Sequence, residues 1–272
     1  CIRDSVIVLS GGYINIIVCL CLRDFMSDTQ WLEWGRKNPY YGVYSEDRFH
    51  TSNIEATKGE FFATGEANVS WMLGRAEQYF GPLGKGRVLE FGAGVARMSI
   101  PLASRFETVI GVELSPDMRA EAVKNCQLYN VKNVEMVPSD DDLSHASGEF
   151  DLVLSYIVLQ HVDARRGVML IDKLLSKVGP NGVAILQASV KRPERRLLDR
   201  LRYHLRHNVP VLAATYRFLR GKGWNTLSMR MSEYDPIAIL AAFSRNGMKD
   251  VLLSEHYQGD VLTFHFTARK GG

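Results

Sequence analysis

From Arg87 onward the chain alternates short apolar runs with longer stretches of helical periodicity. This alternation constrains the fold more than any other feature. Strands are expected at Arg87–Phe91 (RVLEF), Thr108–Glu113 (TVIGVE), Val134–Val137 (VEMV), Phe150–Tyr156 (FDLVLSY) and Gly182–Gln187 (GVAILQ). Between them, Pro116–Tyr129 reads as a helix with Ser115 as N-cap and Pro116 at its first position. Ala164–Val178 reads as another, stopped by Gly179-Pro180-Asn181-Gly182. After a helix at Pro236–Asn246, two last strands near Asp250–Ser254 and Val261–Ala268 flank the short turn Tyr257–Asp260, as an antiparallel hairpin would. Strands alternating with helices imply βαβ units. The expected class is α/β, a doubly wound, mostly parallel seven-stranded sheet with an antiparallel C-terminal hairpin strand.

The flanks are less regular. Ser5–Leu22 is apolar and bounded by Arg3 and Arg23. It is open to three readings: a short membrane anchor or signal-like segment, a buried strand pair about Gly11-Gly12, or translated upstream sequence before a start at Met26. The last is favoured, so residues 1–25 are expected to be a non-native or disordered extension. Residues 26–85 are expected to form an N-terminal helical cap: a short helix, a loop through Asn38-Pro39, and a helix at Gly65–Phe80 on which Val69, Met72, Leu73, Ala76 and Phe80 recur. Residues 86–270 then form the main domain, with a basic helical insertion at 191–232 after the fifth strand. Within it Lys191–Lys222 carries ten Lys or Arg against Glu194 and Asp199, although the whole chain has a net charge of only +3. The insertion could be a lid that attracts an anionic acceptor or a membrane surface, or a solvated basic helix pair. Cys126 is the one cysteine beyond residue 21, so the fold needs no disulfide and suits a cytoplasmic setting.

The turn Glu90-Phe91-Gly92-Ala93-Gly94 follows a strand, where glycine lets the backbone turn tightly and a ligand approach. A dinucleotide site would place a third glycine where Arg97 stands, which argues against an NAD-dependent reductase. Instead Glu90, two residues before the first glycine, suits a ligand with an ammonium group. Glu113 ends the next strand, where a carboxylate accepts the hydroxyls of a ribose. Asp140 and Asp141 follow the third, where an acceptor can meet an adenine amino group. An aminoacyl tail, a ribose and an adenine together describe S-adenosylmethionine.

These stretches resemble the class I, seven-strand S-adenosylmethionine-dependent methyltransferases. The resemblance rests on VLEFGAGVARMSIPLA (Val88–Ala103), GVELSPDM (Gly111–Met118), PSDDDL (Pro138–Leu143), FDLVLSYIVLQHV (Phe150–Val162) and LLSKVGPNGVAIL (Leu174–Leu186), in the family's order. It implies a cofactor site of Glu90, Gly92, Ala93, Gly94, Arg97, Glu113, Leu114, Met118, Asp140, Asp141 and Ser155. Ala93 and Ala96 depart from the family pattern, which often has Cys or Ser at the first and Gly at the second. Trp31–Glu66 and Met229–Lys270 look similar to members acting on small molecules or glycans.

Methyl transfer is an in-line displacement, and an alcohol acceptor gains from a general base. His161 and Tyr156, which follow the fourth strand, are the candidates nearest the reacting methyl. His161 is equally open to a capping or core role. His256 is a further candidate, and His265 reads as structural or surface. Ser155-Tyr156 and Ala188-Ser189 stand where a metal-dependent relative would need acids, so no metal is expected. The expectation is methyl transfer to a small molecule, at an oxygen of a sugar, lipid-linked or secondary-metabolite acceptor, without nucleic acid. A non-catalytic cofactor-binding scaffold is the rival reading.

Overall fold

The computed structural model describes residues 28–190, 229, 231–258 and 261–272. The expectations for the N-terminal extension and for most of the basic insertion lie outside the described residues. Seven strands form one sheet: β1 (Arg87–Phe91), β2 (Thr108–Glu113), β3 (Val134–Pro138), β4 (Phe150–Ser155), β5 (Val178–Ser189), β6 (Leu252–Gln258) and β7 (Val261–Arg269). Their order is β3-β2-β1-β4-β5-β7-β6. The first five are parallel, and β7 runs antiparallel between β5 and β6. The chain proceeds outward from β1 to β3 and then crosses back to β4. The reversal leaves a crevice at the carboxyl ends of β1 and β4, where open α/β sheets hold ligands.

Each sheet face is covered, so the strands are apolar on both sides. On one face, Leu89, Val153, Ala184 and Phe266 pack against Leu170, Ile171 and Leu174 of α6 (Ala164–Ser176) and Ile239 and Phe243 of α7 (Pro236–Arg245). On the other, Val88, Leu152, Leu154 and Ile185 meet Val69, Met72, Leu73 and Ala76 of α3 (Ile54–Phe80). The helix α5 (Pro116–Leu128) starts as expected, with Ser115 Oγ accepting from the Met118 amide. Among the described residues no helix is long and apolar enough to cross a membrane.

Several elements differ from expectation. Asn38-Pro39 does not open a loop: residues 28–37 form α1, and Pro39 sits in the first turn of α2 (Pro39–Val43), which tolerates a residue without an N–H. Helix α3 begins eleven residues before Gly65. Thr57, Gly59 and Thr64 lower its intrinsic propensity, but burial of Ile54, Phe61 and Phe62 at helical spacing overrides this. Gly179–Gly182 does not separate helix from strand. It is an irregularity inside β5, where pairing jumps from Phe150–Val178 to Leu152–Val183 and Asn181 takes φ +60°. The helix after the cofactor turn, α4 (Ser99–Ala103), is only five residues long, because the backbone keeps turning through Ala96.

Gly65 lets α3 approach the cofactor turn. A Cβ there would lie 2.1 Å from the Arg97 carbonyl oxygen, a backbone atom that cannot swing aside. Gly65→Ala is therefore expected to destabilise the fold by about 1–3 kcal/mol through overpacking, despite alanine's helix preference of about 1 kcal/mol. Urea unfolding checks this. A stabilised variant would show that α3 does not rest on that carbonyl.

Candidate cofactor and active site

The turn after β1 is held from two sides. The amides of Gly92 and Ala93 donate to the Val112 carbonyl of β2, at 2.8 and 3.1 Å. Gly94 N donates to Glu113 Oε2 at 3.0 Å, and Ser115 N donates to Glu113 Oε1 at 2.8 Å. Gly92 and Gly94 adopt φ of +78° and +56°, a region glycine enters without penalty. Ala96 also lies there, at +67°, where an L-residue costs roughly 1–2 kcal/mol. That strain explains why glycine is favoured at this step of the turn.

One cleft of about 950 Å3, solvent at its mouth included, gathers most of the expected residues. Glu90, Gly92, Ala93, Gly94, Arg97, Glu113, Leu114, Met118 and Asp141 line it, with Tyr156 and His161. The wall that the sequence did not disclose is N-terminal: Asp28 and Trp31 of α1, and Gly42 and Val43 of α2. Close packing seats these helices. A Cβ on Gly35 would fall 2.1 Å from Ser115 Oγ, and one on Gly94 would fall 2.3 Å from Val43 Cγ2. Tyr40 adds a polar tether, its hydroxyl 2.8 Å from Glu121 Oε1 and 2.9 Å from Asn125 Oδ1. Arg166 of α6 also lines the cleft. The sequence signal for this wall was present only as aromatic and glycine content, which does not name a partner.

Three expected residues lie elsewhere. Asp140 is turned into its own loop, where its carboxylate accepts from the Asp142 and Ser144 amides and the Ser144 hydroxyl. It caps a turn and leaves the cleft to Asp141. Ser155 is buried behind the cleft, its hydroxyl donating to the Phe91 carbonyl at 3.3 Å. His256 is exposed on β6, outside the cleft lining.

His161 is carried on the 3₁₀ turn Leu159–His161, which the buried Tyr234 hydroxyl holds by donating to the Leu159 carbonyl at 2.7 Å. Its ring packs against Trp31, centroids 4.9 Å apart. Arg97 is buried between Tyr44 and Tyr156, with its guanidinium 4.9 and 5.7 Å from their ring centres. Its Nη1 donates to Thr64 Oγ1 at 3.1 Å, while its buried Nε has no hydrogen-bond partner. His265 is a buried residue rather than a surface one. It stacks beside Tyr156 and meets Trp71 edge-on, and burial, with His256 and Arg75 nearby, pushes its pKa down to about 4.

Among the described residues no cluster of three His, Cys, Asp or Glu side chains is arranged to hold a metal ion. The buried carboxylates carry the electrostatics of the cleft. Burial raises Glu113, and the amides of Ser115 and Gly94 oppose that rise. Burial pushes Glu90 up to about 7, against the Ser99 hydroxyl, which donates to it at 2.5 Å, and the Arg97 charge.

The folded pKa of Glu90 thus lies above the unfolded 4.5. Its contribution to stability is fully present below pH 4.5 and is lost as pH rises through about 7. Glu90→Gln, which keeps an acceptor for Ser99, is expected to stabilise the ligand-free protein at pH 8 by roughly 1–3 kcal/mol. The gain should vanish near pH 4.5, where wild-type Glu90 is itself protonated. Urea titrations at the two pH values test it; a gain independent of pH would exclude a buried charge as the cause.

Residues 88–182 match the family described as "Methyltransferase domain". Curated relatives include the 23S rRNA (uracil(1939)-C(5))-methyltransferase RlmD of Burkholderia thailandensis, 29% identical over 128 residues, or 44% of this chain and 26% of that protein. The tRNA/tmRNA (uracil-C(5))-methyltransferase of Campylobacter concisus is 36% identical over 55 residues, 20% of this chain and 15% of that protein. The chain thus spans about a quarter or less of the length of these relatives. Among solved structures, magnesium protoporphyrin IX methyltransferase from Synechocystis PCC 6803 with bound S-adenosylhomocysteine superposes with a TM-score of 0.57 at 19% identity, covering 93% of this chain and 99% of that one. The DhpI–S-adenosylhomocysteine complex gives 0.53 at 17% identity, covering 90% and 97%. At such identities the likeness is one of fold. The match of residues 88–182 to a methyltransferase domain agrees with the glycine turn after β1, the acid closing β2 and the antiparallel last strand.

Proposed function

We propose that this chain transfers a methyl group from S-adenosylmethionine to an oxygen of a small-molecule acceptor, a sugar, lipid-linked or secondary-metabolite hydroxyl. The observation that carries the reading is the single cleft that brings Glu90, the glycine turn, Glu113 and His161 together at the carboxyl ends of β1 and β2. The residues present suit the cofactor. Each Glu113 oxygen accepts one backbone amide and keeps a lone pair for a ribose hydroxyl. Glu90 is a buried acid that gains from a neighbouring ammonium, and the unpartnered Nε of Arg97 suits a carboxylate. Asp141 can accept from the adenine amino group.

The cofactor supplies a methyl on a sulfonium, which departs as a neutral thioether. The chain's contribution is alignment, exclusion of water by the aromatic wall of Trp31 and Tyr156, and a proton acceptor at His161. The names of the curated relatives raise RNA uracil as an acceptor. Methylation at C5 of uracil needs a nucleophile that first adds to the ring. Cys126, the cysteine among the described residues, does not line the cleft, and burial pushes it up to about 11. Among the described residues no cysteine therefore lines the cleft to make that addition.

Thermal shift with S-adenosylmethionine, S-adenosylhomocysteine and NAD tests the cofactor. Stabilisation by NAD alone would overturn the reading. Release of S-adenosylhomocysteine over a panel of hydroxylated acceptors and a uracil-containing RNA then tests the reaction; turnover on the RNA alone would replace the acceptor class. Glu113→Gln is expected to weaken S-adenosylhomocysteine binding by about 1–3 kcal/mol, as read by calorimetry, because an amide cannot accept everything a carboxylate accepts. His161→Ala is expected to lose turnover while keeping cofactor affinity. A fully active variant would remove His161 as the base.

A further inference from the structure

Three charged residues of the cleft wall, none of them in the glycine turn, meet at one point. Arg166, in the first turn of α6, donates its Nε to Asp141 Oδ1 at 2.8 Å, with its Nη2 2.7 Å from the same oxygen. Its Nη1 reaches both carboxylate oxygens of Asp28, at 2.9 and 3.1 Å. Asp141 follows β3, Asp28 belongs to α1, and all three line the cleft. Burial opposes the charge on Arg166, but its hydrogen bonds to Asp28 and Asp141 outweigh that and keep it protonated.

The geometry has two consequences. Asp141 has a side chain 59% exposed, and a lone carboxylate so exposed samples several rotamers. Two N–H groups from one rigid guanidinium hold it, and both fall on Oδ1, so Oδ2 is not committed to Arg166. The Asp28 limb attaches α1 to α6. The same helix places Trp31 on His161 and lines the cleft at both Asp28 and Trp31. The triad thus ties α1 to α6 beside the cleft that both helices line.

We propose that Arg166 is a positioning residue of the cofactor site: it holds Asp141 for the adenine amino group and, through Asp28, ties α1 to α6 as the gate for cofactor exchange. This rests on the cofactor reading above. A lysine could not replace the arginine fully, since a point charge does not bridge two carboxylates at a fixed angle.

The test compares S-adenosylhomocysteine with S-inosylhomocysteine, whose ring carries a carbonyl in place of the amino group. Calorimetry gives the affinities, and stopped-flow tryptophan fluorescence gives the dissociation rates. Wild type is expected to prefer S-adenosylhomocysteine by about tenfold, the usual scale for one hydrogen bond to a charged group. Arg166→Gln should lose most of that preference and release both ligands several-fold faster. Asp28→Asn should speed release equally while keeping the preference, because it cuts only the α1 limb. Arg166→Lys should recover part of the slow release but not the preference. Raising KCl from roughly 50 to 500 mM should speed release from wild type, since salt screens a partly exposed triad.

Arg166→Gln with an unchanged urea midpoint and wild-type preference and release would overturn the proposal. Should that variant not fold, an Asp28→Asn protein with unchanged release, or a wild-type release rate indifferent to salt, would overturn the gate by itself. A wild type that binds neither ligand would instead overturn the cofactor reading, and the two failures are thereby distinguished.

Discussion

The Glu113 carboxylate is the interaction on which the site depends. It closes β2, is buried, and accepts the Gly94 amide with one oxygen and the Ser115 amide with the other. These donors belong to different βα units: Gly94 to the turn after β1, Ser115 to the start of α5. One side chain thereby sets the distance between the cofactor turn and the next helix. It spares two backbone N–H groups the cost of burial without a partner. The compensation runs both ways, because the same amides offset the cost of burying the carboxylate.

The N-terminal helices are built around that junction. Gly35 brings α1 to Ser115, and Gly94 accepts Val43 of α2, so both contacts land on the residues that bond to Glu113. Small residues at the touching points allow backbone-close packing, and the aromatic cluster of Trp34, Tyr40, Phe49, Phe61 and Phe62 supplies the apolar burial. The consequence for function is enclosure. Trp31 and Val43 line the cleft together with the glycine turn, and apolar walls that exclude water strengthen charge interactions beside them. On the other side of Tyr156, the buried imidazole of His265 and the edge of Trp71 continue the aromatic wall toward β7.

Legibility in the sequence followed the range of the interaction. β1 and β2 appear at the residues expected, because a run such as RVLEF buries both faces whatever packs on it. The Ser115 cap was readable for the same reason: its partner, Met118, is three residues away. Asp140 and Asp141 could not be separated, since their roles depend on Ser144 in the local turn and on Arg166 across the cleft. His256 looked suitable because it lies in a C-terminal segment that can border such a pocket. Its exposure depends on β6 being the sheet edge, a fact of strand order that no local pattern carries.

By itself the sequence determined the alternating α/β class, the glycine turn with its acid on the preceding strand, and the acid that ends the second strand. Each is written in residues adjacent along the chain, and each is forced by backbone conformation or by a short-range hydrogen bond. Only the tertiary structure decided which side chains share the cleft. Asp28 and Arg166 are 138 residues apart, and their contact exists because α1 folds back over the crevice left by the reversal between β1 and β4. Spacing along a chain does not encode such a contact; it follows from how the helices pack once the sheet has formed.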